Sequence, residues 1–279
     1  MAQEPEAARP LPEADAQMSP ADRDALARAV GLLERRSFAA ALAHALGEPA
    51  ARLTALAPEP LRTFAQRAAT HALERAAHAA GHSLAPSRGP ARARLHAALS
   101  AASGAAGGAF GPGALALELP VSTLIILRAI ADVARAEGED PQAPETIVAC
   151  LEVFALGGRT SRDDHMDSSY FAVRGLLAKA VGDATRYVAA HGFAREGAPA
   201  LARLVAALAP RFGALATQKV MAQGLPLIGA LGGAAINYAF ARHFEDMARG
   251  HFIVRRLERA YGAARTAALY ETLAREARP

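Results

Sequence analysis

Apolar residues recur along this chain every three or four positions, in stretches punctuated by Gly, Pro and short charged runs, and nowhere alternate with period two. That spacing predicts helices and no sheet. Ser19-Pro20 reads as a cap followed by proline in a first turn, and Leu26, Val30 and Leu33 then share one helical face that continues toward Leu42 and Leu46. A second helix opens near Pro58 to Pro60 and places Leu61, Phe64, Ala68 and Ala72 on its apolar side. After a break at His82 to Pro90, the stretch following Pro120 is apolar almost all round, so a fully buried helix is expected there. The turn Asp140 to Glu145 puts Pro144 at the head of a helix that holds Cys150 and stops at Gly157-Gly158, where a left-handed glycine cap is expected. Tyr170, Val173, Leu177 and Val181 mark the next helix, and Leu201, Leu204, Val205 and Leu208 another, ended by Pro210. Phe240, Phe244, Met247 and His251 then form the buried stripe of a long helix closed by Gly262, and Leu269 and Leu273 belong to a short final one.

Two runs interrupt the amphipathic pattern. Leu95 to Leu117 holds no formally charged residue and carries Gly104, Gly107, Gly108, Gly111 and Gly113; Val220 to Ala241 is uncharged between Lys219 and Arg242 and carries Gly229 and Gly233. The second is long enough to span a bilayer. Both, however, are rich in Gly and Ala, and Gln223, Pro226 and Asn237 lower the gain from entering lipid. Glycines four apart also let two helices approach closely in a water-soluble core. The expected fold is therefore all-α, a multi-helix bundle around a central Gly/Ala-rich close-packed helical hairpin. Its organisation reads as a disordered tail over 1–18, an N-terminal helical pair over 19–81, a linker over 82–90 and the main helical domain over 91–279.

Composition agrees with helices: 52% of the 279 residues are apolar, only 5% aromatic, and Trp is absent. The net charge of +4 comes almost wholly from arginine, since Lys179 and Lys219 are the only lysines. Basic residues are interleaved with acids along the helices, as at Asp22, Arg23, Asp24 and Arg28, which speaks against nucleic acid as a partner. Cys150 is the only cysteine and sits in an apolar run, so an intrachain disulfide is excluded and a small buried hydrophobe is expected. The acidic, proline-rich N-terminus resembles neither a signal peptide nor an anchor and points to the cytoplasm.

Three groups of residues carry candidate chemistry. His243, Asp246 and His251 share a helix with Arg242, which stands four residues before Asp246 at ion-pair spacing. Asp163, Asp164, His165 and Asp167 gather acids where a helix begins, a place that attracts negative charge without any metal. Together Asp163, Asp164, Asp167, His243, Asp246 and His251 are the candidate catalytic set of a metal- or carboxylate-dependent hydrolase. The calcium-loop spacing and HExxH are both missing, so no metal site is assigned and no cofactor is expected. The third group is charge among apolar residues: Glu118, Arg128 with Asp132, and Glu152. A buried charge must be paired or change its protonation, which calls for distant partners such as Arg174 or Arg242 for Glu118 and Glu152. The densest basic patch is Arg255, Arg256 and Arg259, suited to an anionic membrane surface.

The blocks LELPVSTLIILRAIADVAR, GEDPQAPETIVACLEVFALGG, DSSYFAVR and PLIGALGGAAINYAFARHFEDMARGHFIVRRLERAYG stand in this order between about residues 104 and 261. In them the chain resembles the EcsC family of bacterial helical proteins. That resemblance implies a cytoplasmic or membrane-peripheral bacterial protein linked to transport or envelope processes, and it supplies no catalytic residues. The expected function is thus a non-enzymatic helical interaction module that is membrane-peripheral or transporter-associated at the inner face of the cytoplasmic membrane. Its partner would be a membrane surface or membrane protein. Besides the hydrolase, the alternative is a carrier that shelters a lipid or other apolar ligand between helices, with Glu118 and Arg128 orienting the head group.

Overall fold

The computed structural model describes residues 18–35, 38–39, 41–42, 57–83, 115–157, 169–192, 198–223 and 229–277. Among them stand eight helices and no strand: α1 (Pro20–Arg35), α2 (Glu59–Ser83), α3 (Leu115–Ala136), α4 (Pro144–Leu156), α5 (Ser169–His191), α6 (Pro199–Gln223), α7 (Gly229–Tyr261) and α8 (Ala263–Glu276). The chain is the all-α multi-helix bundle its apolar spacing predicts. At the entry to α1 the Asp22 amide donates to Ser19 Oγ at 3.1 Å, which is the expected cap. Gly262 ends α7 with φ of 86°, a conformation open to glycine at little cost.

Helix α4 forms the hydrophobic centre, with every residue from Thr146 to Leu156 buried. Around it Phe38, Phe154, Phe212, Phe240 and Phe244 meet with ring centroids 5.0–5.2 Å apart. Edge-to-face contacts at such distances add about 0.5–1.5 kcal/mol per pair beyond area burial. One continuous core runs from Ala25 in α1 to Ala274 in α8. The segment expected as a separate N-terminal pair buries Leu26, Val30, Leu73 and Ala76 in that same core. Most of the expected linker and tail lies outside the described residues.

Several local expectations change. Helix α2 turns Phe64 outward, 37% exposed, and buries a stripe of alanines, Ala65, Ala69, Ala72, Ala76 and Ala80, against α6 and α3. Alanine lets the backbones approach closely, and this helix uses closeness where a phenylalanine would hold them apart. Pro210 does not end its helix: α6 continues to Gln223, with Pro210 on the solvent side. Gln66 of α2 lies against Gly213 and donates to the Ala209 carbonyl at 2.8 Å, next to the proline. Pro120 likewise lies inside α3 rather than before it. Gly158, the other half of the expected cap, lies outside the described residues, and Gly157 closes α4 in the right-handed region, φ −82°. It is glycine for a different reason: a Cβ there would collide with the His243 ring.

The first arm of the expected Gly/Ala hairpin, up to residue 114, lies outside the described residues. Of the Val220 to Ala241 run, Val220 to Gln223 belong to α6 and Gly229 to Ala241 to α7, whose Ile236, Asn237, Phe240 and Ala241 are covered by protein. Among the described residues, α6 is the one helix long and apolar enough to cross a membrane, with 61% of its apolar window already buried.

Candidate functional site

Three features of the buried polar chemistry stand out, and the first is structural. Glu118 and Lys219 are almost fully covered, and Lys219 Nζ donates to Glu118 Oε1 at 2.9 Å and to Ser122 Oγ at 3.1 Å. Asn237 Nδ2 donates to the same carboxylate at 2.6 Å and Gln223 Nε2 at 3.4 Å, while the Lys219 ammonium lies 4.7 Å from the Phe240 ring centroid. Burial alone would raise Glu118. Lys219, Asn237 and Gln223 together outweigh it and hold the carboxyl below its ordinary range. Burial also pulls Lys219 down from the usual amine range, against the attraction of Glu118. This knot ties α3, α6 and α7 into one register. It corrects the expectation that Glu118 meets Arg174 or Arg242: the partner is one of the chain's two lysines.

The second feature is an open groove of about 580 Å³ between α5 and α8. Its walls are mostly small: Gly175, Ala178, Val181 and Gly182 from α5, Ala263, Ala264 and Ala267 from α8, with Phe171 at one end. Its floor is charged, built from Glu152 of α4, Arg174 of α5, and Arg255 and Glu258 of α7. Arg174 makes a bidentate pair with Glu258, at 2.7 and 3.1 Å, and its guanidinium lies 5.4 Å from the Tyr170 ring and 5.7 Å from that of Phe171. Arg255 donates to Glu139 through Nε at 3.0 Å and Nη2 at 3.5 Å. Glu152 is 4% exposed and makes no hydrogen bond to a described residue. His251 Nε2 lies 4.0 Å from Glu152 Oε2, beyond hydrogen-bonding reach, and that nitrogen is itself buried without a partner. Burial raises the Glu152 carboxyl, with Arg174 and Arg255 opposing.

Behind Glu152, His251 is fully buried and its Nδ1 lies 3.0 Å from Tyr170 Oη. Burial and the nearby Arg174 and Arg255 lower the imidazole well below its usual range, and burial raises the phenol, so both rings are neutral. Tyr170 is placed by the first turn of α5, where its amide donates to Glu34 of α1 at 3.2 Å, an anion at a helix start.

The third feature is an ion-pair belt at the end of α7. Arg255 and Arg259 both donate to Glu139, which also accepts from Thr146 Oγ1 at 3.2 Å. Arg256 reaches Glu137 at 3.3 Å and Asp22 at 3.0 Å, and Tyr261 Oη donates to Asp22 at 2.7 Å. The three arginines expected to face a membrane are thus each engaged by acids of this chain.

The remaining candidates separate. His243 is buried and its Nε2 lies 3.2 Å from the Gly157 carbonyl; a carbonyl only accepts, so Nε2 carries the hydrogen. Burial lowers this imidazole to about 4, so it is a neutral cap on the end of α4. Asp246 does pair with Arg242, at 3.7 Å, as its spacing predicts, and Arg242 also donates to Glu245 at 2.7 Å. Asp132 pairs with Arg135 at 3.5 Å, and Arg128 is exposed on the same helix. Asp163, Asp164 and Asp167 lie outside the described residues. Among the described residues no group of three or more His, Cys, Asp or Glu is arranged to hold a metal. Of the predicted set, then, Glu152, Arg174 and Arg255 converge on the groove with His251 behind them. Glu258 and Tyr170 complete the site, and Glu258 stands four residues before Gly262, where spacing alone marks only an exposed turn of helix.

The fold and floor define a helical bundle with a surface groove over buried, partly unsatisfied charge. The chain belongs to the EcsC protein family, whose model matches residues 39–257. That match starts well upstream of the residues that carry the resemblance, consistent with α2 sharing the common core. No curated protein and no solved structure matches the chain.

Proposed function

We propose that this protein is a non-enzymatic helical binding module whose working site is the α5–α8 groove, and that it takes up an amphiphilic, lipid-like ligand at the cytoplasmic face of the membrane. One observation carries the reading: a nearly buried carboxyl without a hydrogen bond, Glu152, forms the floor of an open groove with walls of Gly, Ala, Val and Phe. Small apolar walls accept a hydrocarbon body, and convergent polar groups at one place fix a head, which is the usual division of labour in a ligand site. Among the described residues no Ser, Cys, Thr, His or Lys lines the groove. Here the head group meets Glu152, Arg174 and Arg255, in place of the Glu118 and Arg128 expected from sequence.

Denaturing extraction of the purified protein, followed by mass spectrometry, reads out any lipid it carries. Thermal unfolding with added lysolipid is the second arm: a ligand at one hundred times its Kd stabilises by about 2.7 kcal/mol. The variant Ala178→Phe fills the groove from an exposed position on α5 and is expected to abolish both signals. Equal lipid content and equal thermal shifts in the wild type and this variant would remove the groove as the site.

A further inference from the structure

We propose that the head group taken by this groove is a monoanionic oxyacid, a carboxylate or a phosphodiester, held between Arg174 and Arg255 and accepting a hydrogen bond from Glu152; this rests on the groove being the binding site. The donors are in place. Arg174 spends Nη1 and Nη2 on Glu258 and keeps Nε, while Arg255 spends Nε and Nη2 on Glu139 and keeps Nη1. Both guanidiniums are held by their glutamates, and Arg174 is further packed against two aromatic rings, so neither needs reordering to meet a ligand.

Charge selects the class. Of the ionisable side chains that line the groove, Arg174 and Arg255 are cationic and Glu258 is their acidic counterpart, an excess of one positive charge at the lining when Glu152 carries its proton; Glu139, behind Arg255, is shared with Arg259. Burial favours that protonated form. A single negative charge on the ligand balances the floor. A cationic head would add to the surplus, and a neutral head would leave it. The protonated Glu152 then acts as an O–H donor to an oxyanion, the strong short type of hydrogen bond, and gains the partner it lacks in the protein itself.

Four probes sharing one alkyl chain test this by titration calorimetry below their micellar concentrations: laurate, lauroyl lysophosphatidylglycerol, lauryl alcohol and lauryl trimethylammonium. At least one anion is expected to bind about tenfold or more tighter than the alcohol, with that preference shrinking as salt rises. Laurate ahead of the lysolipid identifies a carboxylate ligand, and the reverse order identifies a phosphodiester. Glu152→Leu, an apolar replacement of similar size at a buried position, is expected to keep alcohol binding and lose most of the anion preference. Arg255→Gln is expected to do the same, with Glu139 still held by Arg259 and Thr146. If alcohol and ammonium bind as tightly as the anions and Ala178→Phe blocks all four, the head-group assignment falls and the groove stands. If none of the four binds, or Ala178→Phe changes nothing, the groove itself falls.

Discussion

Replacing Lys219 with methionine deletes the ammonium from the Glu118 knot while keeping most of the side-chain volume. The side chains of Lys219 and Glu118 are 1% and 5% exposed, so solvent does little to screen what is lost. Breaking one side of a buried pair costs about 3–5 kcal/mol, because it strands an uncompensated charge. At about 2–4 °C per kcal/mol for a chain of this size class, the melting temperature should fall by roughly 6–20 °C. Asn237 and Gln223 still donate to the orphaned carboxylate, which places the expected loss toward the lower end. The double variant Lys219→Met with Glu118→Gln strands no charge and should recover most of the loss, since neutral replacements of buried pairs are often harmless.

Acidity adds a second reading of the same variant. In the wild type the Glu118 carboxyl is held low, so its contribution is present above the unfolded value and is lost as pH falls through the folded one. Without Lys219, burial dominates and raises this carboxyl, so the variant's defect is largest at neutral pH and shrinks on acidification. Urea unfolding across a pH series measures both. A single-variant loss below about 1 kcal/mol would refute the reasoning, as it is the value expected of a solvated surface pair. So would a double variant as unstable as the single one, because the defect would then be steric.

Other expectations follow from the same geometry. His243 is lowered from 6.5 to about 4, so its share of stability is present above pH 6.5 and declines as pH falls toward 4, by at most about 3 kcal/mol; His243→Gln should flatten that limb of a urea-derived stability curve. Gly157→Ala drives a methyl into the His243 ring and should cost about 1–3 kcal/mol, with much of it recovered by adding His243→Ala, read from thermal melts. Arg256→Gln removes pairs that are 36% exposed on the arginine side and should cost less than about 1 kcal/mol, a control for the buried knot. Gly250→Ala places a carbon 2.6 Å from Leu33 Cγ and should loosen α1 from α7, seen as faster amide exchange in α1.

Helices were legible wherever one face was apolar and its ends carried caps: Ser19 opens α1, Pro144 opens α4 and Gly262 closes α7. The errors arose where a residue serves a neighbour rather than its own helix. Pro210 reads as a stop because proline weakens a helix interior, yet α6 runs through it with the ring on the solvent side. Gly157 reads as half of a glycine cap, and its steric constraint, the His243 ring that excludes a side chain, comes from a distant helix. Charge pairing was legible at four-residue spacing, as in Arg242 and Asp246, and illegible across helices. One signal was available for the Glu118 partner. In a chain that uses arginine almost throughout, a lysine between Ala216 and Val220 marks a site where a compact ammonium fits and a planar guanidinium does not.

Helix α7 shows how the same residue types come to differ in use. Near its start Asn237 serves the Glu118 knot, in its middle His243 caps α4, and near its end Arg256 and Arg259 close on acids from the turn after α3 and from α1. In each case the polar group makes a hydrogen bond to a protein partner. Glu152 and His251 lie 4.0 Å apart at the floor of the groove, His251 Nε2 buried without a hydrogen bond and Glu152 making none to a described residue. If this place served only to hold the helices together, an apolar residue in place of His251 would do so at lower cost, since its buried, unpartnered Nε2 destabilises by about 1–3 kcal/mol. The groove above gives the carboxyl a use: Glu152 is a buried acid that lines an opening of about 580 Å³.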